Sequence, residues 1–315
     1  MILSVHKKAS GFSLKLFLSI CITILFSNCV VLSPAEQSES VASQQKNQNQ
    51  VAELVSSKAE ETAENADAFN WNEIADGIEC CSFFDETSHS RCNAVKINLN
   101  TPGIKLIAST PSEKTADGET SIFKAETTRK FAQHSGAVVA INATPFNYPS
   151  GRVSRKRTIA GVYAINDKIL APKAGRYAAL IFAADKNEML SASVIDTQND
   201  FEPNESTRFA FGGFWTILKD REIILFKSQQ KEPRSAAGIL DGGKTLILLA
   251  IDKSGTTSKG ATFNETSSIL LRLGATEAIM LDGGSSSSLV INGKQISKTF
   301  PHVEVALSFG FLLKD

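Results

Sequence analysis

The stretch Ala278-Ile279-Met280-Leu281-Asp282-Gly283-Gly284-Ser285-Ser286-Ser287-Ser288-Leu289-Val290-Ile291-Asn292-Gly293-Lys294-Gln295-Ile296 decides the fold. Its first four residues form a short continuous apolar run, the pattern of a buried strand. Its last eight place Asn292-Gly293 between two short β-prone runs. That dipeptide tolerates positive φ at both turn positions and predicts a tight hairpin. Working outward, Thr245 to Ile251, Ala178 to Ala183 and Ala137 to Ile141 are further apolar runs. Val95, Ile97 and Leu99 alternate with polar residues, as in a half-buried strand. Asn166-Asp167, Lys219-Asp220 and Asp241-Gly242-Gly243 supply turn chemistry between runs.

Two helices are expected. One spans about Ser121 to His134, with Ile122, Phe123 and Phe131 on a buried face. The other spans about Asn264 to Leu273, where Thr262 and Glu265 have capping-box spacing and Gly274 follows the end. Many hairpins with few helices predict an α+β fold: mixed, largely antiparallel sheets and a single catalytic domain.

The chain has 315 residues, 33 basic and 33 acidic side chains, and 42% hydrophobic residues. Zero net charge gives no electrostatic footing for nucleic acid, which demands a basic face. The only apolar run with membrane character is Leu16 to Phe26, preceded by Lys7, Lys8 and Lys15. It has the length of a signal h-region and is short for a spanning helix. Cys29 follows in a relaxed lipobox, Leu25-Phe26-Ser27-Asn28-Cys29, although Asn28 stands where a small residue is usual. Cleavage after Ala35 and an uncleaved anchor are the alternatives. All three readings export the rest of the chain. Residues 1–28 are thus expected as a lipoprotein-type signal peptide, with Cys29 lipidated and the protein held at the membrane of a bacterial cell envelope. Residues 29–68, rich in Ser, Gln, Asn and Glu, read as a disordered tether with a frayed helix at Val51 to Ala66. Residues 69–315 form the domain. In an exported chain, Cys92 pairing with Cys80 or Cys81 is the expected disulfide. A zinc site from these thiols and His89 lacks the usual Cys-x2-4-Cys spacing, so no metal or cofactor is expected.

Common catalytic and nucleotide motifs are absent: no Gly-x-Gly-x-x-Gly, P-loop, His-Glu-x-x-His or Gly-x-Ser-x-Gly occurs. Two Ser-x-x-Lys strings, at Ser121 and Ser228, have no companion motifs and read as coincidence. Three strand ends carry chemistry instead. After Leu281 the chain reaches the carboxylate of Asp282, then Gly283, Gly284 and four serines. Such a turn offers backbone N–H groups and hydroxyls to an anion, with a carboxylate at its rim. The plainer reading is an Asp capping a glycine-rich turn. Thr245 to Ile251 runs into Asp252, and upstream Arg234-Ser235 enters the neighbouring run. An Arg fixed there suits two-point phosphate recognition, against a plain reading as a solvated salt bridge. The third end is Ile141-Asn142, followed by a loop carrying Arg152, Arg155, Lys156 and Arg157.

Taken together these segments resemble the phosphodiester glycosidase family. The matching residues are Leu281-Asp282-Gly283-Gly284-Ser285-Ser286 with Asn292-Gly293; Pro233-Arg234-Ser235 to Gly238; Asp252, Gly260, Thr262, Glu265 and Leu273-Gly274-Ala275; and Ile141-Asn142. They occur in the family's order across roughly residues 90–315. One departure stands out. The family usually reads Asn-Gly-Gly-aromatic-Phe at the first segment, where this chain has Asn142-Ala143-Thr144-Pro145-Phe146.

The resemblance implies a hydrolase that cleaves the bond between a sugar's anomeric carbon and a phosphodiester, releasing the sugar. The phosphate is a good leaving group, so less acid assistance is demanded than in ordinary glycosidases. Asp282 is expected at the anomeric centre and Asp252 as the second carboxylate. Arg234, Ser235, Ser285 and Ser286, with the Gly283 and Gly284 backbone, would bind the phosphate, and Asn142 a sugar hydroxyl. Glu265 is accounted for by its capping position. The partner is then a phosphosugar or glycan, with no nucleic acid. The alternative is a lipid-anchored domain that binds sugar polymers without cleaving them.

Overall fold

A computed structural model describes residues 69–116, 118, 120–299 and 303–314. Expectations for the signal segment, Cys29 and the tether fall outside these residues. The fold is β-rich, which corrects the α+β expectation. Among the described residues two α-helices, Thr128–Ser135 and Phe263–Arg272, stand among many strands. Every strand pairing among the described residues is antiparallel, so the expected mixed sheets are absent.

The expected first helix was too long because it joined two elements. Ser121–Lys124 is a strand, its Ile122 and Phe123 paired with Thr158 and Arg157. The helix begins only after Thr127, whose side chain accepts from the Lys130 N–H, and it ends at Gly136 in the left-handed region. The second helix follows its sequence signals closely. Thr262 and Glu265 form the capping box in both directions. Segments with no clear period in sequence, such as Ile78–Asp85, Leu190–Ile195 and Thr207–Gly212, are strands. Ile78–Asp85 and Thr207–Gly212 pair on both edges, so no clean alternation marks them, and Leu190–Ile195 is an edge strand paired with Ala179–Ala184.

The largest sheet has eight strands. Its order is Asn72–Ala75, Ile78–Asp85, Ser90–Asn98, Thr245–Ile251, Arg234–Leu240, Glu277–Met280, Thr216–Lys219 and Glu222–Ile223. Two five-stranded sheets accompany it. One runs Lys294–Gln295, Leu289–Ile291, Val139–Asn142, Ser308–Leu313 and Ile104–Ala108. The Asn292-Gly293 hairpin is present in it, with φ of 48° and 69°. The other contains Ala179–Ala184 and Thr207–Gly212 at its centre.

One face of the large sheet packs against both five-stranded sheets through a single apolar core. Val95, Ile97, Leu248 and Leu281 meet Ile141, Phe309, Phe182 and Phe211 there. Phe211 and Phe309 stack with centroids 4.7 Å apart. The opposite face is covered by the Phe263–Arg272 helix, which buries Ile269, Leu270 and Leu271 against Ala236, Leu249 and Met280. The site strands are thus clamped on both sides, and their ends are held by long-range contacts.

The expected disulfide is not formed: Cys80, Cys81 and Cys92 are free thiols. In the register of their strand pair, Cys81 faces Ala94 and Cys92 faces Phe83, so no cysteine stands directly opposite another. Burial pushes the Cys81 thiol up to about 12 and the Cys92 thiol up as well. Among the described residues, no helix is long and apolar enough to cross a membrane.

Candidate active site

Register brings the sequence-predicted strand ends to one edge of the large sheet. Arg234 pairs with Ile251 on one side. On the other, Ala236 pairs with Met280, which carries the row out to Asp282, two residues past the strand end. The neighbouring five-stranded sheet reaches this edge through Asn142. Asp282, Arg234, Ser235, Asn142 and the Gly283–Ser288 turn therefore converge.

Asn142 is fully buried and acts as the bracket between the sheets. Its Nδ2 donates to the Asp282 carbonyl at 2.7 Å. Its Oδ1 accepts from the Ser235 hydroxyl at 2.7 Å and from the Ser288 N–H at 2.9 Å. Both lone pairs of the amide oxygen and one of its two N–H donors are therefore engaged. Asn142 positions the turn, and Ser235 is buried as its partner. Direct binding of a sugar hydroxyl or phosphate by these two is not the role their contacts describe.

The turn itself is tightly bonded. Asp282 N–H donates to the Ala143 carbonyl and Gly284 N–H to the Pro233 carbonyl. Ser286 and Ser287 N–H groups close the turn on Gly283 and Gly284 carbonyls. The open anion nest read from the sequence is thus largely filled by the protein's own carbonyls. Gly283 is required by close approach: a Cβ there would lie 3.2 Å from the Pro233 carbonyl oxygen and 3.9 Å from Arg234 Nη1. Gly284 has φ of 61°, where only glycine is unstrained. Ser285 is exposed and Ser286 is buried.

Asp282 is half-buried. Burial pushes its carboxyl up to about 7, against the opposing pull of the Ser286 hydroxyl and the Gly283 N–H. A carboxyl held near neutrality at a strand end is suited to handling protons or developing charge.

Arg234 is held rigidly at the same turn. Its Nε donates to the Ala261 carbonyl at 2.7 Å and its Nη2 to the Gln230 carbonyl at 2.8 Å. Its guanidinium lies 4.5 Å from the Phe263 ring centroid. Nη1 lies toward the Gly283 turn, and the end-on edge that it forms with Nη2 is suited to two anionic oxygens. Partial burial lowers its pKa from the usual arginine value, which leaves it charged.

Asp252 sits apart. It is 1% exposed, at the end of the Thr245–Ile251 strand, two strands from Asp282. That places the two backbones ~10 Å apart at ordinary strand spacing. Its Oδ1 accepts from the Lys298 N–H at 2.7 Å and from Asn93 Nδ2 at 3.4 Å, while Oδ2 is buried without a partner. It lines a different cavity, with Phe84, Arg91 and Lys298. Sequence reasoning missed that cavity, because Phe84, Arg91 and Lys298 are scattered and unremarkable in the chain. Glu265 is engaged by the Thr262 N–H and by Lys231 at 2.6 Å, in keeping with a structural role. Among the described residues, no cluster of three or more His, Cys, Asp or Glu side chains could hold a metal ion.

Comparison with known proteins follows this geometry. The SPbeta prophage-derived uncharacterized protein YomE of Bacillus subtilis is 28% identical over 204 residues, covering 62% of this chain and 31% of that protein. The chain thus spans about a third of that relative's length. A hypothetical protein from Synechocystis shares the fold with a TM-score of 0.56 at 18% identity, covering 78% of this chain and 64% of that one. The catalytic domain of zebrafish N-acetylglucosamine-1-phosphodiester alpha-N-acetylglucosaminidase, auto-inhibited by its pro-peptide, superimposes with a TM-score of 0.53 at 17% identity. That match covers 76% of this chain and 84% of the zebrafish domain. The phosphodiester glycosidase family profile matches residues 135–312, more than half of the chain and the whole stretch from Asn142 to the Asp282 turn. The chain belongs to the phosphodiester glycosidase family.

Proposed function

We propose that the protein hydrolyses the bond between a sugar's anomeric carbon and a phosphodiester. The observation that carries this reading is the Asp282 carboxyl, raised to about 7, on a turn whose other wall is the immobilised Arg234. In the reaction the C1–O bond breaks and its electron pair leaves with the phosphate oxygen. Water supplies the new oxygen at C1 and one proton, and the products are the free sugar and a phosphate monoester. Asp282 acts in its ionised form at the anomeric carbon, stabilising positive charge or activating the water. The free edge of the Arg234 guanidinium holds two phosphate oxygens, and its charge favours their departure. The Ser285 hydroxyl adds a donor at the exposed rim of the turn. Asn142 and Ser235 fix the turn so that Asp282 and Arg234 share one bound substrate.

The protein is proposed to work outside the cytoplasm, tethered through Cys29 and residues 29–68. Cys29→Ser is expected to abolish incorporation of a labelled lipid, and unchanged labelling would discard the anchor. The activity test is direct. Purified full-length protein incubated with an N-acetylglucosamine-1-phosphodiester is expected to release free sugar. Retention of the compound without release would make the domain a binding module.

A further inference from the structure

Phe84, Arg91 and Asp252 form one row across three neighbouring strands. Phe84 pairs with Arg91, and Cys92 pairs with Ile251, so Arg91 stands beside Asp252. Directly opposed residues in antiparallel strands share a face. The next row inward is Asn93, Ala250 and Ser235, on that same face. Ser235 is the residue that bonds Asn142 under the Asp282 turn. Ser235 therefore shares the face of Asp252, whereas Arg234 alternates to the opposite face and packs on Phe263, so the Asp252 cavity and the candidate active site lie at the same end of one sheet, with Asp252 two strands from Asp282.

The cavity has a volume of about 380 Å³, enough for one small polar ligand. Its floor is Asp252, whose Oδ2 is buried and unpartnered. A buried acceptor without a donor is costly and invites a ligand hydroxyl. Two exposed cations, Arg91 and Lys298, flank it, and neither forms an ion pair among the described residues. With Asp252 ionised the pocket carries a net charge of +1. Phe84 is 41% exposed at its rim, offering an apolar face for a sugar ring. Hydroxyls for Asp252, a negative group for Arg91 and Lys298, and a ring face for Phe84 define one ligand class.

We propose that this pocket binds an acidic sugar unit, as a site separate from the Asp282 turn at the same end of the sheet. The proposal rests on the glycosidase reading only for the ligand being part of a glycan. Asp252 then holds this unit and takes no part in bond cleavage.

Equilibrium binding to the full-length protein tests this without turnover. The probes are glucuronate, glucose 6-phosphate and neutral glucose. At least one acidic sugar is expected to bind ~10-fold tighter than glucose, and the better one shows whether the acid is a carboxylate or a phosphate. The double variant Arg91→Ala/Lys298→Ala is expected to abolish that preference, and both side chains are exposed, so folding is retained. Asp282→Asn is expected to keep the preference. Equal binding of all three probes would overturn the proposal, as would a preference that survives the double variant or disappears with Asp282→Asn. Failure of sugar release with the preference intact would strike the proposed reaction and leave the subsite standing.

Discussion

The Asp282 turn and the Asp252 strand end look alike in sequence. Each is an apolar strand that ends in aspartate and runs into glycine and serine. In the folded protein they differ in what surrounds the carboxyl. Asp282 is half-buried, its backbone bracketed by Asn142, with Arg234 at the adjoining Gly283. Asp252 is almost fully buried, bonded through Oδ1 by Asn93 and the Lys298 N–H, with Oδ2 unpartnered. Burial raises both carboxyls above the ordinary range. Only the first has a rigidly held arginine, Arg234, beside its turn. An aspartate after a strand thus acquires its role from the elements that arrive beside it, which lie some 140 residues away in the case of Asn142 and Asp282.

The largest way to break this contrast is to remove the bracket. Asn142→Ala strands the Ser235 hydroxyl, the Ser288 N–H and the Asp282 carbonyl in a buried site. At 1–3 kcal/mol for each unsatisfied group, less some relaxation, the cost is about 3–5 kcal/mol. The melting temperature should fall by about 10 °C and sugar release should be lost. A fall of under 2 °C would mean the bracket is dispensable.

The next effect is one of pH. The folded Asp282 carboxyl sits near 7, whereas an unfolded aspartate titrates near 3.9. The folded state therefore holds the extra proton between these values, and stability declines as pH rises through that window. Asp282→Asn removes this penalty. It should raise the melting temperature at pH 8 by about 5 °C, and by much less at pH 5, a gain in stability bought with function. Equal melting temperatures at pH 8 would show that the ionised carboxyl is not strained by its surroundings.

Arg234→Lys tests the other wall of the site. Lysine keeps the charge and loses the planar fork, so kcat/KM should drop ~10-fold, and the lost carbonyl contacts should lower the melting temperature by about 3 °C. Unchanged kinetics would remove the two-point phosphate contact. The smallest effect is expected at the second region. Lys298 bonds Asp252 through its backbone, so Lys298→Ala should move the melting temperature by no more than about 2 °C. A larger loss would mean its side chain neutralises Asp252 in the free protein.

The local parts of this architecture were legible in the sequence. Asn292-Gly293 formed its hairpin and Thr262 with Glu265 formed its cap, because a few adjacent side chains determine each. The balance of helix and strand was not legible. Ser121–Lys124 and Thr128–Ser135 are only three residues apart, and pairing with Glu113–Lys114 and Lys156–Ile159 makes the first a strand. The strand ends that converge could be singled out by motif, since Asp282, Arg234 and Asn142 are each marked by unusual neighbours. Their division of labour could not, because it depends on which donors and acceptors the fold has already paired. Asn142 is the clear case. Nothing local shows that its amide oxygen is filled by Ser235 and Ser288.

The pH dependence of sugar release measures the central claim, that an ionised Asp282 with a raised pKa acts at the anomeric carbon. Wild-type kcat/KM on a sugar-1-phosphodiester should rise between pH 5 and 9 with one inflection near 7, the value to which burial raises this carboxyl. Asp282→Asn should lower it by at least ~10²-fold and flatten the profile. A variant that keeps wild-type turnover, with the inflection near 7 still present, would contradict the account and leave Asp282 as a residue that only shapes its turn.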